Sequence, residues 1–304
     1  MFKHGFVFCS KPRRRTNMHK RGLSVYLFVI FIISSSLCFP TTTFGNKSLI
    51  FAVHPYLPAT ELVNRFTPLV NYLSREMGQP IEMRVSKTYK DHIDVTGENR
   101  VDFAYIGSAG YVKMVNLYGR KPLLARIQVN GKSTYQGVII VRTDRDLIMP
   151  TDLIGKLFAF GDPNSTSSYL VPLFVLWKAG VSLEDLGSYE FLKNHHNVAL
   201  GVLTGHFDAG AVKEEVFYEY EERGLKELVR TPPISEYLFV ATHSLPPGQV
   251  RKLRKTLYAL ANNEQGQFVM TSIKHSLTGM VPVKDEDYDN LRDILKTLEK
   301  IGVQ

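Results

Sequence analysis

The sequence predicts an α/β protein with two lobes, a cleft between them and a hinge made of two crossings. Apolar runs typical of strands alternate with segments of helical spacing, which is the pattern of sheets with crossover helices. The alternation begins again at Met149-Pro150, so two such units are expected. We predict one lobe at 48–137 plus 237–304, the other at 142–230, and the crossings near 138–141 and 231–236.

The first unit has the order strand, helix, strand, helix, strand, helix. Its first predicted helix, 60–77, carries apolar residues at helical spacing and ends at Gly78-Gln79-Pro80. A turn at Asn130-Gly131 joins the last two strands of this part. The predicted strands are 48–56, 81–85, 101–106, 123–129 and 135–142, and the further helices are 89–96 and one that begins at Gly107-Ser108.

The second unit repeats the pattern, and segment 225–230 then leads back through Thr231-Pro232-Pro233. Ligands of open α/β sheets bind beyond the carboxyl ends of the strands, so a site is expected in the turns that follow them. The predicted strands are 157–161, 189–192, 209–212 and 237–242, and the predicted helices are 151–153, 169–179, 195–204, 214–223, one from 246 and 285–301.

The N-terminal residues 1–45 are predicted to be a secretory signal peptide. Basic residues precede the apolar run 23–39, and a short polar stretch ends at Gly45, near which a cut is expected. Met18 would begin a signal of more typical length, so it is an alternative start. An uncleaved membrane anchor is the alternative, although the apolar run is short and serine-rich for a spanning helix. The chain is therefore expected to be exported through the inner membrane.

Composition excludes several classes of function. The formal net charge is +8, but residues 1–45 contain seven Lys or Arg and no acid, which leaves 30 basic and 29 acidic residues. A nearly neutral body carries no electrostatic footprint for nucleic acid. Cys9 and Cys38 both lie in the N-terminal segment, so the exported chain would have no disulfide, thiolate nucleophile or cysteine-based zinc site.

One neutral, hydroxyl-rich turn indicates an anion site. The stretch FGDPNSTSSYLVP, 160–172, places Ser165, Thr166, Ser167 and Ser168 between a predicted strand and a helix. The first turn of a helix has unpaired N–H groups with positive potential, and small side chains let an anion approach them. Hydroxyls add donors without the cost of burying a cation. The alternative is an ordinary helix cap, for which Ser and Thr are preferred.

This stretch resembles the GDPxSTSGYLVP segment of the periplasmic phosphonate-binding proteins and their phosphite and phosphate relatives, which are solute receptors of ABC importers. The resemblance covers roughly the whole exported chain. It is carried also by PLVNYLSREMGQP, VDFAYIGSAGYV, HHNVALGVLTGHFDAGAV and TPPISEYLFVA. It implies the type II periplasmic-binding-protein fold and a phosphorus oxyanion (phosphonate, phosphite or phosphate) in the interlobe cleft. It implies no enzymatic activity, no cofactor and no metal, with an ABC permease of the inner membrane as partner and a monomeric receptor.

The same resemblance implies the residues of the site. The ligand oxygens would be held by Ser165, Thr166 and Ser167, by His195 and by Tyr89. Ser108, at the strand end of the other lobe, is expected to face the same cleft. A protonated His195 would favour a dianion, which predicts tighter binding in acid.

Relatives that recognise an aminoalkyl phosphonate use two acids and a second tyrosine. When the motifs are aligned, the position of one acid corresponds to Glu215. The position of the other corresponds to Tyr237, or to Glu236 if one gap is introduced. The second tyrosine falls on Ile106, with Tyr105 beside it. The residue after Ser-Thr-Ser, usually glycine, is Ser168. The oxyanion half is therefore retained and the amine half altered, so aminophosphonate specificity is not expected.

Two other functions remain open at this point. The same receptor could present its anion to a membrane histidine kinase. A phosphoryl-transfer enzyme or hydrolase could use His195 or His196 with Glu215. This enzyme is disfavoured because no HExxH, zinc-type, GxSxG or GxxxxGK[ST] spacing occurs.

Overall fold

The computed structural model describes residues 48–303, which belong to one compact unit. The predicted signal peptide and the alternative start at Met18 lie outside the described residues. Within 48–303, no helix has the length and apolar character needed to span a membrane.

Thirteen strands and nine α-helices organise the described residues. The strands are β1 Leu49–Val53, β2 Ile81–Val85, β3 Phe103–Ile106, β4 Leu123–Val129, β5 Thr134–Tyr135, β6 Gly137–Arg142, β7 Leu157–Phe160, β8 Ser188–Phe191, β9 Ala209–Lys213, β10 Leu225–Arg230, β11 Ile234–Ser235, β12 Leu238–Ala241 and β13 Leu277–Val281. The helices are α1 Ala59–Met77, α2 Tyr89–Gly97, α3 Ser108–Tyr118, α4 Val171–Lys178, α5 His195–Leu203, α6 Glu214–Glu221, α7 Pro247–Ala259, α8 Glu264–Ile273 and α9 Asp289–Lys300.

Two sheets form the two lobes. The first has the strand order β13-β4-β12-β3-β1-β2, and the second has the order β10-β6-β9-β7-β8. In the first, β1 pairs in parallel with β2 and β3, and β12 returns antiparallel between β3 and β4. In the second, β7 pairs in parallel with β8 and β9. The carboxyl ends of the parallel strands of each lobe therefore meet at one edge, as α/β ligand sites require.

A two-stranded ribbon connects the lobes. Strand β5 pairs antiparallel with β11, so that Tyr135 lies opposite Ile234. The expected first crossing, 138–141, lies instead inside β6, where it pairs with β9 and β10. Its four apolar residues are fully buried, which is typical of a central strand. The expected second crossing, 231–236, contains β11. The lobe boundaries and the hinge stay predictions.

Helix patterns agree with their packing. Helix α1 buries Leu62, Phe66, Leu69 and Leu73 on one face and ends at Gly78, whose φ of 74° is the left-handed form that glycine adopts at little cost. The sequence pattern missed α8 and β13. The latter has Gly279 at its centre, and glycine in a strand weakens the alternation by which strands are recognised.

Candidate functional site

The hydroxyl-rich turn follows β7 and opens a helix with an unusually wide first turn. Residues Thr166–Leu170 form a π-helix that runs directly into α4. The Leu170 N–H donates to the Ser165 carbonyl at 3.0 Å, an i+5 bond that leaves one more N–H unpaired than an α-helical start would. Ser165 caps the helix, since its Oγ accepts the Ser168 N–H at 3.2 Å. All four hydroxyl residues are buried.

Close backbone contacts fix this turn against the second sheet. A Cβ on Gly137, the first residue of β6, would lie 2.7 Å from the Ser167 carbonyl oxygen, so only glycine fits there. The Ser168 hydroxyl donates to the Ala211 carbonyl of β9. Ser168 therefore stabilises the turn through the second sheet. The hydroxyls of its three neighbours are the ones that can face the cleft.

His195 is the first residue of α5, which begins after β8. Its Nδ1 accepts the Lys213 N–H at 3.0 Å, so the proton of the neutral ring lies on Nε2, which has no partner in the described structure. Burial, and then the charge of Lys213, lower the pKa of His195 to about 3. The ring is therefore neutral near neutral pH and donates through Nε2. The expectation of tighter binding through protonation of His195 is not supported.

Tyr89 begins α2 in the first lobe and brings its hydroxyl to the second. It is fully buried, and its side chain faces Ser165 without a hydrogen bond of ordinary geometry. Burial raises the pKa of Tyr89 well above its usual value, so the hydroxyl keeps its proton and can donate. Tyr89 also lies against His54, with ring centroids 4.0 Å apart.

The start of α3 joins the first lobe to the second. The Ala109 N–H donates to Thr166 Oγ1 at 2.8 Å. Ser108 Oγ donates to the Ser235 carbonyl at 2.6 Å and lies 3.3 Å from Tyr135 Oη. Ser108 therefore donates its proton to the ribbon, and its expected role towards a ligand stays a prediction.

Aromatic rings form the wall of the site in the first lobe. The ring centroid of Tyr237 lies 5.6 Å from those of Tyr105 and His54 and 5.5 Å from that of Tyr135. Tyr105 and Tyr237 are buried, and their expected contact with a ligand stays a prediction. A Cβ on Gly107 would lie 3.0 Å from His54 Nε2, so a larger residue where α3 begins would crowd the His54 ring.

Glu215 lies at the cleft but is committed to cations of the first lobe. Its two oxygens contact Arg65 at 2.8 Å and Lys274 at 3.2 Å. Burial opposes its ionisation, but Lys274, Lys213 and Arg65 outweigh this and lower the pKa of Glu215 to about 2. Glu215 therefore bridges the lobes, with a cation in contact with each of its two oxygens.

Four residues near the site were missed or left open by the sequence analysis: His54, Tyr135, Lys213 and Glu236. The ammonium of Lys213 lies 2.9 Å from the Glu236 carboxylate, and both side chains are buried. His54 follows β1 and Lys213 ends β9, and this placement at strand ends is the signal that could have found them.

Several of the buried polar atoms that have no hydrogen-bond partner lie at this cleft. In native proteins, nearly all buried polar atoms have hydrogen-bond partners. Within residues 48–303, those without one include Tyr89 Oη, Ser167 Oγ and His195 Nε2, together with His54 Nδ1 and His92 Nε2. They come from both lobes, so the interface between the lobes is arranged for a ligand rich in acceptors.

Residues 51–288 match the family model described as ABC transporter, phosphonate, periplasmic substrate-binding protein. The chain belongs to this family. The phosphonate-binding family description names a component of a transporter, which does not favour the sensor alternative. The predicted family and two-lobed fold are confirmed, and the chain is a periplasmic substrate-binding protein of the ABC-transporter type.

Individual relatives agree with this family assignment. The chain is 29% identical over 274 residues to the "Phosphate-import protein PhnD" of Mycolicibacterium smegmatis, covering 82% of this chain and 85% of that protein. The structure of PhnD1 from Prochlorococcus marinus in complex with methylphosphonate has a TM-score of 0.77 at 20% identity, covering 84% and 99%. A binding protein of an ABC phosphonate transporter from Pseudomonas aeruginosa has a TM-score of 0.76 at 20% identity, covering 84% and 87%.

Proposed function

We propose that the chain captures a small phosphorus oxyanion between its lobes, held by Ser165, Thr166, Ser167, His195 and Tyr89, and delivers it to an ABC permease of the inner membrane. The observation that carries this proposal is the set of unpaired, buried donors from two lobes. Methylphosphonate, phosphite and phosphate are the first ligands to test, because similar proteins are named for phosphate import, named as a probable phosphite binding protein, or solved with methylphosphonate.

The donors suit a tetrahedral oxyanion. Ser167 Oγ, His195 Nε2 and Tyr89 Oη have no other partner, and Ser165 and Thr166 accept one hydrogen bond each and keep their own protons to donate. The wide helical turn adds backbone N–H groups with favourable potential. Because every one of these donors is neutral, each stabilises the anion as a dipole aimed at its oxygens.

Closure of the lobes would complete the site. Tyr89 and the Ala109 N–H belong to the first lobe, whereas Thr166, Ser167 and His195 belong to the second. A ligand that contacts both lobes favours the closed form over an open one by the difference in its contacts. The ribbon of β5 and β11 is the proposed hinge.

The proposal extends to the maturation and state of the receptor. We expect residues 1–45 to be removed near Gly45 on export and the receptor to be a monomer without catalytic turnover, cofactor or metal. Intact mass of the periplasmic protein and its elution volume test the first two points. Hydrolysis of a generic phosphate ester above the buffer rate would contradict the third.

Calorimetric titration tests the ligand assignment. Ligand-free protein, unfolded and refolded, is titrated with methylphosphonate, phosphite, phosphate and sulfate. Saturable binding of at least one phosphorus oxyanion, weakened about tenfold by Ser167→Ala, is expected. Ser188→Ala, a serine exposed on β8, is the matched control and leaves the affinity unchanged. No binding of any phosphorus oxyanion would overturn the proposed function.

A further inference from the structure

A lysine ammonium lies inside the cleft in a cage of aromatic rings. Lys213 Nζ is 4.2 Å from the ring centroids of both Tyr135 and Tyr237. Its charge is paired with Glu236 Oε2 at 2.9 Å. The side chain of Lys213 is 2% exposed and that of Glu236 is 1% exposed, so water contributes almost nothing to their solvation.

This cage has the chemistry of a recognition site for a ligand cation. Two aromatic faces and one carboxylate around an ammonium are the arrangement by which proteins bind amines, because ring quadrupoles and a counter-charge replace the water shell. A buried ion pair seldom adds stability over apolar residues of equal volume. The pair therefore calls for an explanation other than folding.

The cage adjoins the proposed oxyanion donors. The Lys213 N–H donates to His195 Nδ1, so one residue contributes to the donor set by its backbone and to the cage by its side chain. Tyr135 Oη lies 3.3 Å from Ser108 Oγ, and Thr166 and Ser167 also face it. A phosphonate held by the hydroxyl turn would thus carry its tail near Lys213.

We propose that Lys213 fills, from within the chain, a cation subsite beside the oxyanion site, and so makes the receptor selective against phosphonates that carry an ammonium group. A ligand ammonium would meet a like charge where Glu236, Tyr135 and Tyr237 are already occupied. A short neutral tail, or none, meets no such repulsion. This proposal rests on the proposed function, since it concerns the tail of the ligand and not its oxyanion.

The first test compares methylphosphonate with 2-aminoethylphosphonate by calorimetry. The purified protein is expected to bind the amine at least about 100-fold more weakly, because like charges in a desolvated site repel strongly. Lys213→Ala removes the internal cation and is expected to improve the affinity for 2-aminoethylphosphonate, relative to methylphosphonate, by about 10-fold or more. Lys121→Ala is the matched control and leaves the ratio unchanged, since Lys121 is also shielded but bonds Asn99 instead of the cage.

A second measurement covers the case in which Lys213→Ala folds poorly because Glu236 is left unpaired. Its melting temperature is measured in ethylammonium chloride and in sodium chloride at equal ionic strength. Ethylammonium is expected to stabilise Lys213→Ala and not the parent protein, by occupying the vacated cage. If ethylammonium neither raises the melting temperature of Lys213→Ala nor restores its folding, the result counts against the proposal.

The outcomes separate the two proposals. Failure of every phosphorus oxyanion to bind the parent protein overturns the proposed function. Equal affinity of the parent protein for the two phosphonates, or an unchanged ratio in folded Lys213→Ala, overturns the cation subsite and leaves the oxyanion receptor standing.

Discussion

The backbone N–H of Ala109, at the start of α3, donates a 2.8 Å hydrogen bond to Thr166 Oγ1 in the wide turn of the opposite lobe. Both atoms are buried, and the two residues are 57 positions apart in the chain. The bond therefore connects the two helix starts that border the proposed anion site, and an opening of the lobes would break it.

Thr166→Val is expected to weaken the binding of methylphosphonate. Valine has the shape of threonine but leaves the Ala109 N–H unpaired in the closed form, which costs about 1–2 kcal/mol. Calorimetry measures the affinity, and small-angle scattering with and without ligand measures closure. Thr166→Ser keeps the hydroxyl and should bind nearly as the parent does. Equal affinities of the valine and serine variants would show that the bond has no role in closure.

Tyr89→Phe is expected to separate affinity from stability. Loss of the donor should reduce ligand affinity roughly tenfold, but it removes a buried hydroxyl without a partner, so the unfolding free energy should not fall. Tyr111→Phe is the control with the opposite pattern: a loss of stability and no change in affinity. The Tyr111 hydroxyl lies away from the site and donates a 2.6 Å hydrogen bond to Asp285. Calorimetry and urea denaturation measure the two quantities. A loss of stability in Tyr89→Phe would mean that its hydroxyl is already satisfied.

The ligand-free protein should lose stability in acid through its buried histidines. Burial lowers the pKa of His92 and of His195 to about 3, below the ordinary 6.5, so as the pH falls below 6.5 the unfolded chain binds protons that the native state does not. Each would contribute about 2 kcal/mol of lost stability at pH 5. His195→Asn should reduce the loss between pH 7 and pH 5 by that amount, whereas His206→Asn, at an exposed position, should leave it unchanged. Urea denaturation at both pH values is the measurement; an unaltered loss in His195→Asn would sink the assignment of a neutral ring.

Arg65 and Glu215 should be coupled in binding. Their 2.8 Å contact joins α1 of one lobe to α6 of the other, and both side chains are largely shielded. Hydrogen bonds between shielded charges contribute about 1.5–3 kcal/mol, so a double-mutant cycle with Arg65→Met and Glu215→Gln should give a coupling of that order in ligand affinity. Arg75 and Glu76, an exposed pair on α1, provide the control and should give almost none. Zero coupling for Arg65 and Glu215 would exclude a role in closure.

The sequence predicted the lobed fold and the hydroxyl turn because each depends on several residues in a row. The alternation of strands and helices is a local pattern, and so is the Ser165–Ser168 run. Both can be recognised without knowledge of contacts. The expected crossing at 138–141 lies in β6, whereas Tyr135 lies in β5, and only the pairing partners distinguish these two neighbouring strands. The position of the hinge stays a prediction.

Single residues were the harder part of the prediction. His54 and Lys213 carry no motif, and their meaning comes from neighbours that are distant in the chain, such as Tyr89 for His54 and Glu236 for Lys213. The effect of acid on His195 was hard to predict for a similar reason. A ring at a helix start looks solvated from sequence, whereas burial, and then the charge of Lys213, lower its pKa and keep it neutral.

The π-helix at Thr166–Leu170 makes the length of this segment as important as its composition. Deleting one residue there would restore an α-helical turn and rotate the hydroxyls by about 100° relative to the apolar face of α4. The hydroxyls could then no longer face the anion while the apolar face of α4 packs in the core. Substitutions at this turn can therefore change the selectivity for the anion. Insertions and deletions cannot, because they would misplace either the donors or the core contacts.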